Sequence, residues 1–527
     1  MIAAMFTNAG KVRSTDEVMS CRVSLRAALS QTLRLVAECR VKRAPSMSTT
    51  RFQSRASGET EGAPKVHLVT FGCQMNKYDS LLVEGRFRES GYRIAETMED
   101  ASVILFNTCS VRDHAEERTL SWLGELKHEK ETRPELVIGV MGCMAQRRED
   151  DVFRRAGHVD IVCGTRRFPY LPEMVDEVRR RRTDGERPKD ARVLETGEAR
   201  PDWRIDRSKE PYTGGLVGYL AVMRGCDLNC TYCIVPRTRG RVQSRPIDQL
   251  LDEARWMIEG GAKVVTLLGQ TVNSYGEDMA APAEGEPQYS GRKGRPALAD
   301  LLYAMQELEG LERIRMITLH PSYVTPSFAK AIADCDKVDR FLPLPVQSGS
   351  DSVLRDMKRG YNVELFKKRV QILRDAVPDI ELGSDWIVGF PTESDEDFDA
   401  SERLLADVGF AQNYVFKYDP RPGTVSDDRE DCVATPIKKA RNQRLLKAAE
   451  QSGLKRTERF LNQEVDVFVE KQGDRNPELV VGRTAHYFSI SFEGSPELIG
   501  KMVRVKVQQA SPYNLAGELV TESLSAS

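Results

Sequence analysis

Three cysteines, Cys226, Cys230 and Cys233, stand at C-x3-C-x2-C spacing in the run MRGCDLNCTYCIVPRTRGR. Closely spaced thiolates are the usual anchors of iron–sulfur clusters. Three of them can hold three corners of a [4Fe-4S] cube and leave the fourth iron without a protein ligand. An iron with an open position can bind and reduce a substrate, so the motif reads as a reactive centre rather than an electron wire. Structural zinc asks for four closed ligands, commonly as two C-x2-C or C/H pairs. Here only three cysteines cluster and no histidine lies nearby. Eleven cysteines, an odd number, in a chain of 527 residues also argue against a disulfide framework.

A second set of cysteines lies upstream. VHLVTFGC (66–73), SVILFNTC (102–109) and LVIGVMGC (136–143) each read as a buried strand ending in a cysteine. Helix-like stretches near 77–90, 112–130 and 146–156 separate them, and such alternation implies a parallel α/β sheet. Function in such sheets gathers at the carboxyl ends of the strands. Cys73, Cys109 and Cys143 would therefore converge, although they are far apart in sequence. One buried cysteine at a strand end is usually inert, but three in phase suggest a second cluster with three protein ligands. Cys163 follows another apolar run and is expected to be structural, with a fourth-ligand role as the alternative. A charged connector over 181–211, including RPKDAR, reads as a linker with a solvated surface.

The elements that must position the first trio start near Tyr212. Strands are expected at 217–224, 263–269, 313–320, 340–346, 380–388 and 411–418, with helices between them near 246–260, 298–309, 325–334, 362–376 and 394–408. That is six β/α units, short of the eight of a closed barrel. The cysteines follow the first strand, on the rim where such folds place their chemistry. Polar or glycine-containing strand ends supply Gln270, Asn273, Gln347, Ser348, Ser384, Asp385 and Gly389 to the same rim, as a large cofactor would need. Residues 278–296 read as a surface insertion.

A basic helical segment (436–460) leads to alternating runs, VDVFV (465–469) and VRVKV (503–507), punctuated by Gly473, Gly482, Gly494 and Gly500. This pattern predicts a small antiparallel β-barrel. Such barrels often bind RNA through a strand face, but residues 464–522 carry six Lys/Arg against nine Asp/Glu, so charge alone does not favour it. Arg483, Arg504 and Lys506 could form a local patch. The whole chain has a net charge of −2 and no apolar run near the ~20 residues that span a membrane. Residues 1–63 form an acid-poor leader, read as a disordered extension, with an organelle transit peptide as the alternative. A soluble, cytoplasmic monomer is expected, organelle placement being the alternative if the leader is a transit peptide.

The layout resembles the radical S-adenosylmethionine (SAM) methylthiotransferases: an N-terminal three-cysteine α/β domain (64–180), a radical-SAM core (212–455) and a C-terminal all-β TRAM barrel (456–523). TFGCQMNKYDS (70–80), NTCSVRDHAEER (107–118) and GRT (482–484) look like the branch that acts on isopentenylated tRNA. Gln74-Met75-Asn76 is the discriminating triplet; the branches acting on threonylcarbamoyl-adenosine tRNA or on a ribosomal-protein aspartate are the alternatives. All six cysteines match, and Thr392 stands in GFPTE where glycine is usual. The resemblance implies a partial (β/α)6 barrel, two [4Fe-4S] clusters and SAM, with Tyr232 against the adenine and Gln270, Asn273, Gln347, Ser384, Asp385 and Gly389 near the cofactor. It further implies that a SAM-derived radical takes hydrogen from C2 of the isopentenyl-adenine, that the second cluster holds or supplies sulfur, and that a second SAM methylates it. The implied partners are a tRNA anticodon stem-loop, an electron donor such as flavodoxin or ferredoxin, and a sulfur source.

Overall fold

The computed structural model describes residues 62–110, 113–197, 212, 214–286 and 288–520; most of the leader expected over 1–63 lies outside them. Six parallel strands open the described chain: β1 (Lys65–Phe71), β2 (Arg93–Ile94), β3 (Val103–Thr108), β4 (Val137–Met141), β5 (Ile161–Cys163) and β6 (Val193–Glu195). Their spatial order is β2-β1-β3-β4-β5-β6. β3 and β4 are buried at every position, which is why they read as unbroken apolar runs rather than as alternation. Helices α1 (Gln74–Glu89), α2 (Asp113–Thr132), α3 (Cys143–Arg148), α4 (Asp151–Arg155) and α5 (Leu171–Thr183) flank the sheet. One apolar core, around Val83, Phe87, Val103, Leu105 and Val175, fills one face. Another, around Ile104, Phe106, Leu123, Ile138 and Val140, fills the other.

Two expectations need correction here. The helix expected over 146–156 is two helices that break at Glu149, whose φ of 48° no α-helix contains. The connector expected over 181–211 is partly domain: residues 181–183 finish α5, and β6 adds a sixth strand beside β5. Residues 198–211 lie outside the described residues.

The second domain carries β7 (Val217–Ala221), β8 (Met223–Arg224), β9 (Gln243–Ser244), β10 (Val264–Leu268), β11 (Arg313–Met316), β12 (Phe341–Pro343), β13 (Glu381–Val388) and β14 (Gln412–Lys417). Two parallel three-stranded sheets, β11-β10-β7 and β12-β13-β14, join through a parallel bridge between Ile314 and Val338. The result is the expected six-stranded open barrel. The single strand expected over 217–224 breaks after Ala221, and β8 turns away to pair with β9. Helices α6 (Val235–Arg239), α7 (Ile247–Glu259), α8 (Leu298–Gln306), α9 (Pro326–Asp334), α10 (Asp351–Asp356), α11 (Val363–Ala376), α12 (Asp395–Val408) and α13 (Thr435–Glu458) follow. Leu220, Leu267, Ile314, Met316, Trp386 and Val388 share one core with Leu250, Leu301, Phe328, Phe366, Leu404 and Leu445 of these helices. Alternate strand residues must therefore face the concave inner side. There, Ala221 and Leu268 meet Met75, Tyr78 and Leu82 of α1, so the N-terminal domain covers part of the inner face.

A closed barrel follows, β15 (Glu464–Gln472), β16 (Leu479–Thr484), β17 (Ser489–Glu493), β18 (Met502–Ala510) and β19 (Asn514–Leu519), in the order β15-β16-β17-β19-β18; it is not wholly antiparallel as expected, because β19 crosses over to pair in parallel with β17. It is tied to the second domain where Arg315 meets Glu470 at 2.6 Å and stacks over Tyr487. No helix among the described residues is long and apolar enough to cross a membrane.

Candidate functional site

β1, β3 and β4 end at Phe71, Thr108 and Met141, so their following turns bring Cys73, Cys109 and Cys143 to one edge. Two glycines allow the turns to approach. A Cβ on Gly72 (φ 146°) would lie 2.6 Å from the Cβ of Cys109, and one on Gly142 (φ 94°) would lie 2.5 Å from the Asn107 side chain. Asn76 and Asn107 lock the turns: Asn76 Nδ2 donates to Asn107 Oδ1 at 2.8 Å, and Asn107 Nδ2 returns a bond to Asn76 O at 2.8 Å. The Cys73 thiol donates to Asn76 Oδ1 at 3.2 Å. Its hydrogen bond with Cys109, helped by Arg239, brings it down to about 6 against the effect of burial. Burial pushes the Cys143 thiol up, with Arg239 opposing. Cys163 is fully buried at the end of β5, where it pairs with Met141 and packs in the apolar core with Val175, and the charges that act on its thiol are Glu195 and Arg167 rather than those around Cys73 and Cys143. The structure therefore brings together three of these four cysteines.

The other trio follows β7 and β8. Cys226 and Cys230 are buried and Cys233 is half-buried. Cys226 Sγ lies 3.6 Å from Thr271 Oγ1. Burial pushes the Cys226 thiol up and the Cys233 thiol up to about 12. Buried thiols of this kind stay protonated until a metal displaces the proton. Arg359 organises the surroundings. It donates to Cys230 Sγ at 3.4 Å, Tyr232 Oη at 3.2 Å, Tyr361 Oη at 3.0 Å and Pro345 O at 3.1 Å. His320 packs edge-on against Tyr361 and Tyr323. Burial, then Arg359, brings its pKa down to about 2, so it is neutral at physiological pH.

The trios are linked by a short piece of chain. α6 begins two residues after Cys233, and its five residues rise about 7–8 Å. It ends at Arg239, which pairs with the fully buried Asp79 of α1 at 2.8 Å and lies within electrostatic range of Cys73 and Cys143. Arg224 joins Asp79 at 3.1 Å, as a charge pair without hydrogen-bond alignment. Arg421, in the loop after β14, lies within electrostatic range of Cys109. Among the described residues no three His, Cys, Asp or Glu side chains close on a single ion. A four-iron cube spreads its ligands over separate corners, and the thiols of Cys226, Cys230 and Cys233, two buried and one half-buried, fit that group.

The residues expected on the cofactor rim divide. Asp385 faces the inner side, half-buried. Gln270 buries an Oε1 atom without a hydrogen-bond partner among the described residues. Gln347 (φ 75°) hydrogen-bonds through its backbone to Asp385 and Ile387, and the Gly389 N–H (φ 72°) donates to Glu393 at 2.6 Å. Ser384 faces outward, as its adjacency to Asp385 requires, and its Oγ accepts from the Val346 N–H at 3.1 Å. Both ends of the Asn273 amide are committed to the His320 backbone at 2.9 Å. Sequence reasoning missed Asp79, Arg224, Arg239, Arg359 and His320. Arg224 and Arg239 stand in the run that carries Cys226, Cys230 and Cys233, and Arg359 stands outside every motif; only tertiary pairing distinguishes them from surface charge.

An open parallel α/β barrel with a cysteine trio after its first strand, joined to a small closed β-barrel, defines a radical-SAM protein with an accessory C-terminal domain. Residues 220–405 match the Radical SAM superfamily, 458–520 the TRAM domain, and 65–164 the family described as "Uncharacterized protein family UPF0004". A relative from Bordetella bronchiseptica is 40% identical over 463 residues, covering 87% of this chain and 93% of its own. One from Protochlamydia amoebophila is 36% identical over 455 residues, covering 86% and 96%. Both carry the name tRNA-2-methylthio-N(6)-dimethylallyladenosine synthase, and the chain belongs to that family. Its radical-SAM core implies a [4Fe-4S] cluster and SAM.

Proposed function

We propose that this chain converts N6-dimethylallyl (isopentenyl) adenosine, 3′ of the tRNA anticodon, to its 2-methylthio derivative. The observation that carries this reading is the convergence of Cys73, Cys109 and Cys143, with Cys73 and Cys143 within electrostatic range of Arg239, the Asp79-paired last residue of the short helix α6 that follows the radical-SAM trio. A radical-SAM enzyme that only abstracts hydrogen needs one trio; one that also installs sulfur has use for a second.

Cys226, Cys230 and Cys233 would hold one [4Fe-4S] cluster, and Cys73, Cys109 and Cys143 another. When bound, these groups and SAM supply one-electron C–H activation, sulfur and a methyl group, chemistry that no side chain offers. The protein's share is placement and shielding. Arg359 fixes Tyr232 where its ring would flank the adenine. Asp385 and the Gln270 amide oxygen offer polar contacts on the rim, while the backbone bonds of Gln347 and Gly389 fix its shape. Arg239 and Arg421 bring positive charge to the second trio, which favours thiolates and any anionic sulfur held there. Helix α1 closes part of the inner face and excludes water from it. The substrate base lies in a single-stranded loop, where it can be splayed out and read. An electron donor such as flavodoxin or ferredoxin and a sulfur source complete the reaction.

The test is nucleoside mass spectrometry of an anaerobic reaction holding reconstituted protein, SAM, dithionite and one of two anticodon stem-loops. The isopentenyl-adenosine loop should yield the 2-methylthio nucleoside, and the threonylcarbamoyl-adenosine loop should not. The reverse pattern would reassign the substrate.

A further inference from the structure

The inner face of the open barrel is covered unevenly. Helix α1 covers Ala221 and Leu268 on the β7–β10 side, and the small barrel caps Arg315 of β11. On the β13–β14 side large aromatic rings remain in solvent. Tyr414 is 59% exposed and Phe416 43%. They pair in register with Asp385 and Ile387, whose neighbours Trp386 and Val388 point outward into the core. Both rings therefore stand on the inner side. The track continues toward the chemistry, because Ile387 and Tyr232 pack on the same cluster of Val353, Met357, Phe390 and Tyr418.

A third ring extends the track toward the small barrel. Tyr513, 38% exposed, sits in the turn between β18 and β19. That turn is pinned to the second domain. Thr457 Oγ1 donates to Ser511 O at 2.8 Å, and Ser452 Oγ donates to Phe410 O at 2.7 Å. A Cβ on Gly453 would collide with the Pro512 carbonyl and stand 3.1 Å from the Ala411 carbonyl. Tyr513 is thus held at the entry to β14, beside Tyr414.

We propose that Tyr513, Tyr414 and Phe416 form a stacking track for unpaired bases of the RNA loop, leading the target base onto the inner face. The proposal rests on the tRNA reading above. Rings at alternate positions of a strand stand about 7 Å apart, twice the ~3.4 Å step of stacked bases. They suit bases splayed along an extended strand, and stacking on aromatic rings is the usual way single-stranded RNA is held. The rings carry no charge, so they contribute without counterion release.

The experiment uses the reconstituted full chain and its Tyr414→Ala, Phe416→Ala and Tyr513→Ala variants. Affinity is read by fluorescence anisotropy for an isopentenyl-adenosine stem-loop and for a blunt RNA duplex of equal length, across a salt series. Iron content and thermal melts confirm folding. Each variant should weaken stem-loop binding about 5- to 150-fold. Duplex binding and the salt slope should stay unchanged, and Tyr414→Trp should retain wild-type affinity. Wild-type stem-loop affinity in all three alanine variants overturns the track while leaving the function intact. Equal losses for loop and duplex overturn it as well. Failure of the wild type itself to bind the stem-loop overturns both the track and the tRNA reading.

Discussion

Asp79 joins the N-terminal domain to the barrel domain through two buried charge pairs, and Asp79→Asn tests how much rests on it. The carboxylate is fully buried, with Arg239 at 2.8 Å and Arg224 at 3.1 Å. At an effective dielectric of about 20, each pair is attractive by about 5–6 kcal/mol. Desolvation of three charges offsets most of that. Removing the one anion leaves two buried guanidinium groups uncompensated, at a net cost of about 3–5 kcal/mol. Urea unfolding followed by intrinsic fluorescence should show a loss of that size. The double variant Asp79→Leu, Arg239→Met should recover part of it, because one stranded charge disappears with the anion. Thiolation should not recover, since Arg239 also faces Cys73 and Cys143. A loss under about 1 kcal/mol in Asp79→Asn, with full methylthio product, would refute the idea that this carboxylate ties the two trios together.

The remaining predictions concern the site directly. Cys226→Ala should abolish SAM-derived 5′-deoxyadenosine, whereas Cys109→Ala should keep it and lose the methylthio nucleoside; both are read by chromatography. Arg359→Lys should cut 5′-deoxyadenosine formation at least ~10-fold, because an ammonium cannot replace a planar fork that serves four diverging partners. His320 has its pKa lowered to about 2 in the fold, so the unfolded chain binds its proton first as pH falls. Its contribution is present above the unfolded value near 6.5 and fades below it. Between pH 6.5 and 5.5 the wild type should lose about 1 kcal/mol more stability than His320→Gln; identical pH profiles would contradict the buried neutral imidazole.

The placement of Cys73, Cys109 and Cys143 after parallel strands and the strand–helix alternation were legible because strand ends are written locally, as apolar runs closed by a glycine turn or a cysteine. β6 was hidden because three residues in a charged stretch carry no period of their own. Ser384 and Asp385 could not both face the cofactor, and the two-residue period of a strand already held that fact. Asp79, Arg239 and Arg359 could not be found, because their meaning lies in partners more than a hundred residues away. The aromatic track needed the topology, since only the outward packing of Trp386 and Val388 shows which side Tyr414 and Phe416 occupy.

The most direct test of two trios with divided duties is the triple variant Cys73→Ala, Cys109→Ala, Cys143→Ala, reconstituted and assayed anaerobically beside the wild type. It should hold half the iron and sulfide of the wild type, still release 5′-deoxyadenosine from SAM, and form no methylthio nucleoside. Full iron content, or methylthio product from the triple variant, would contradict the assignment of a second, sulfur-handling cluster to these cysteines.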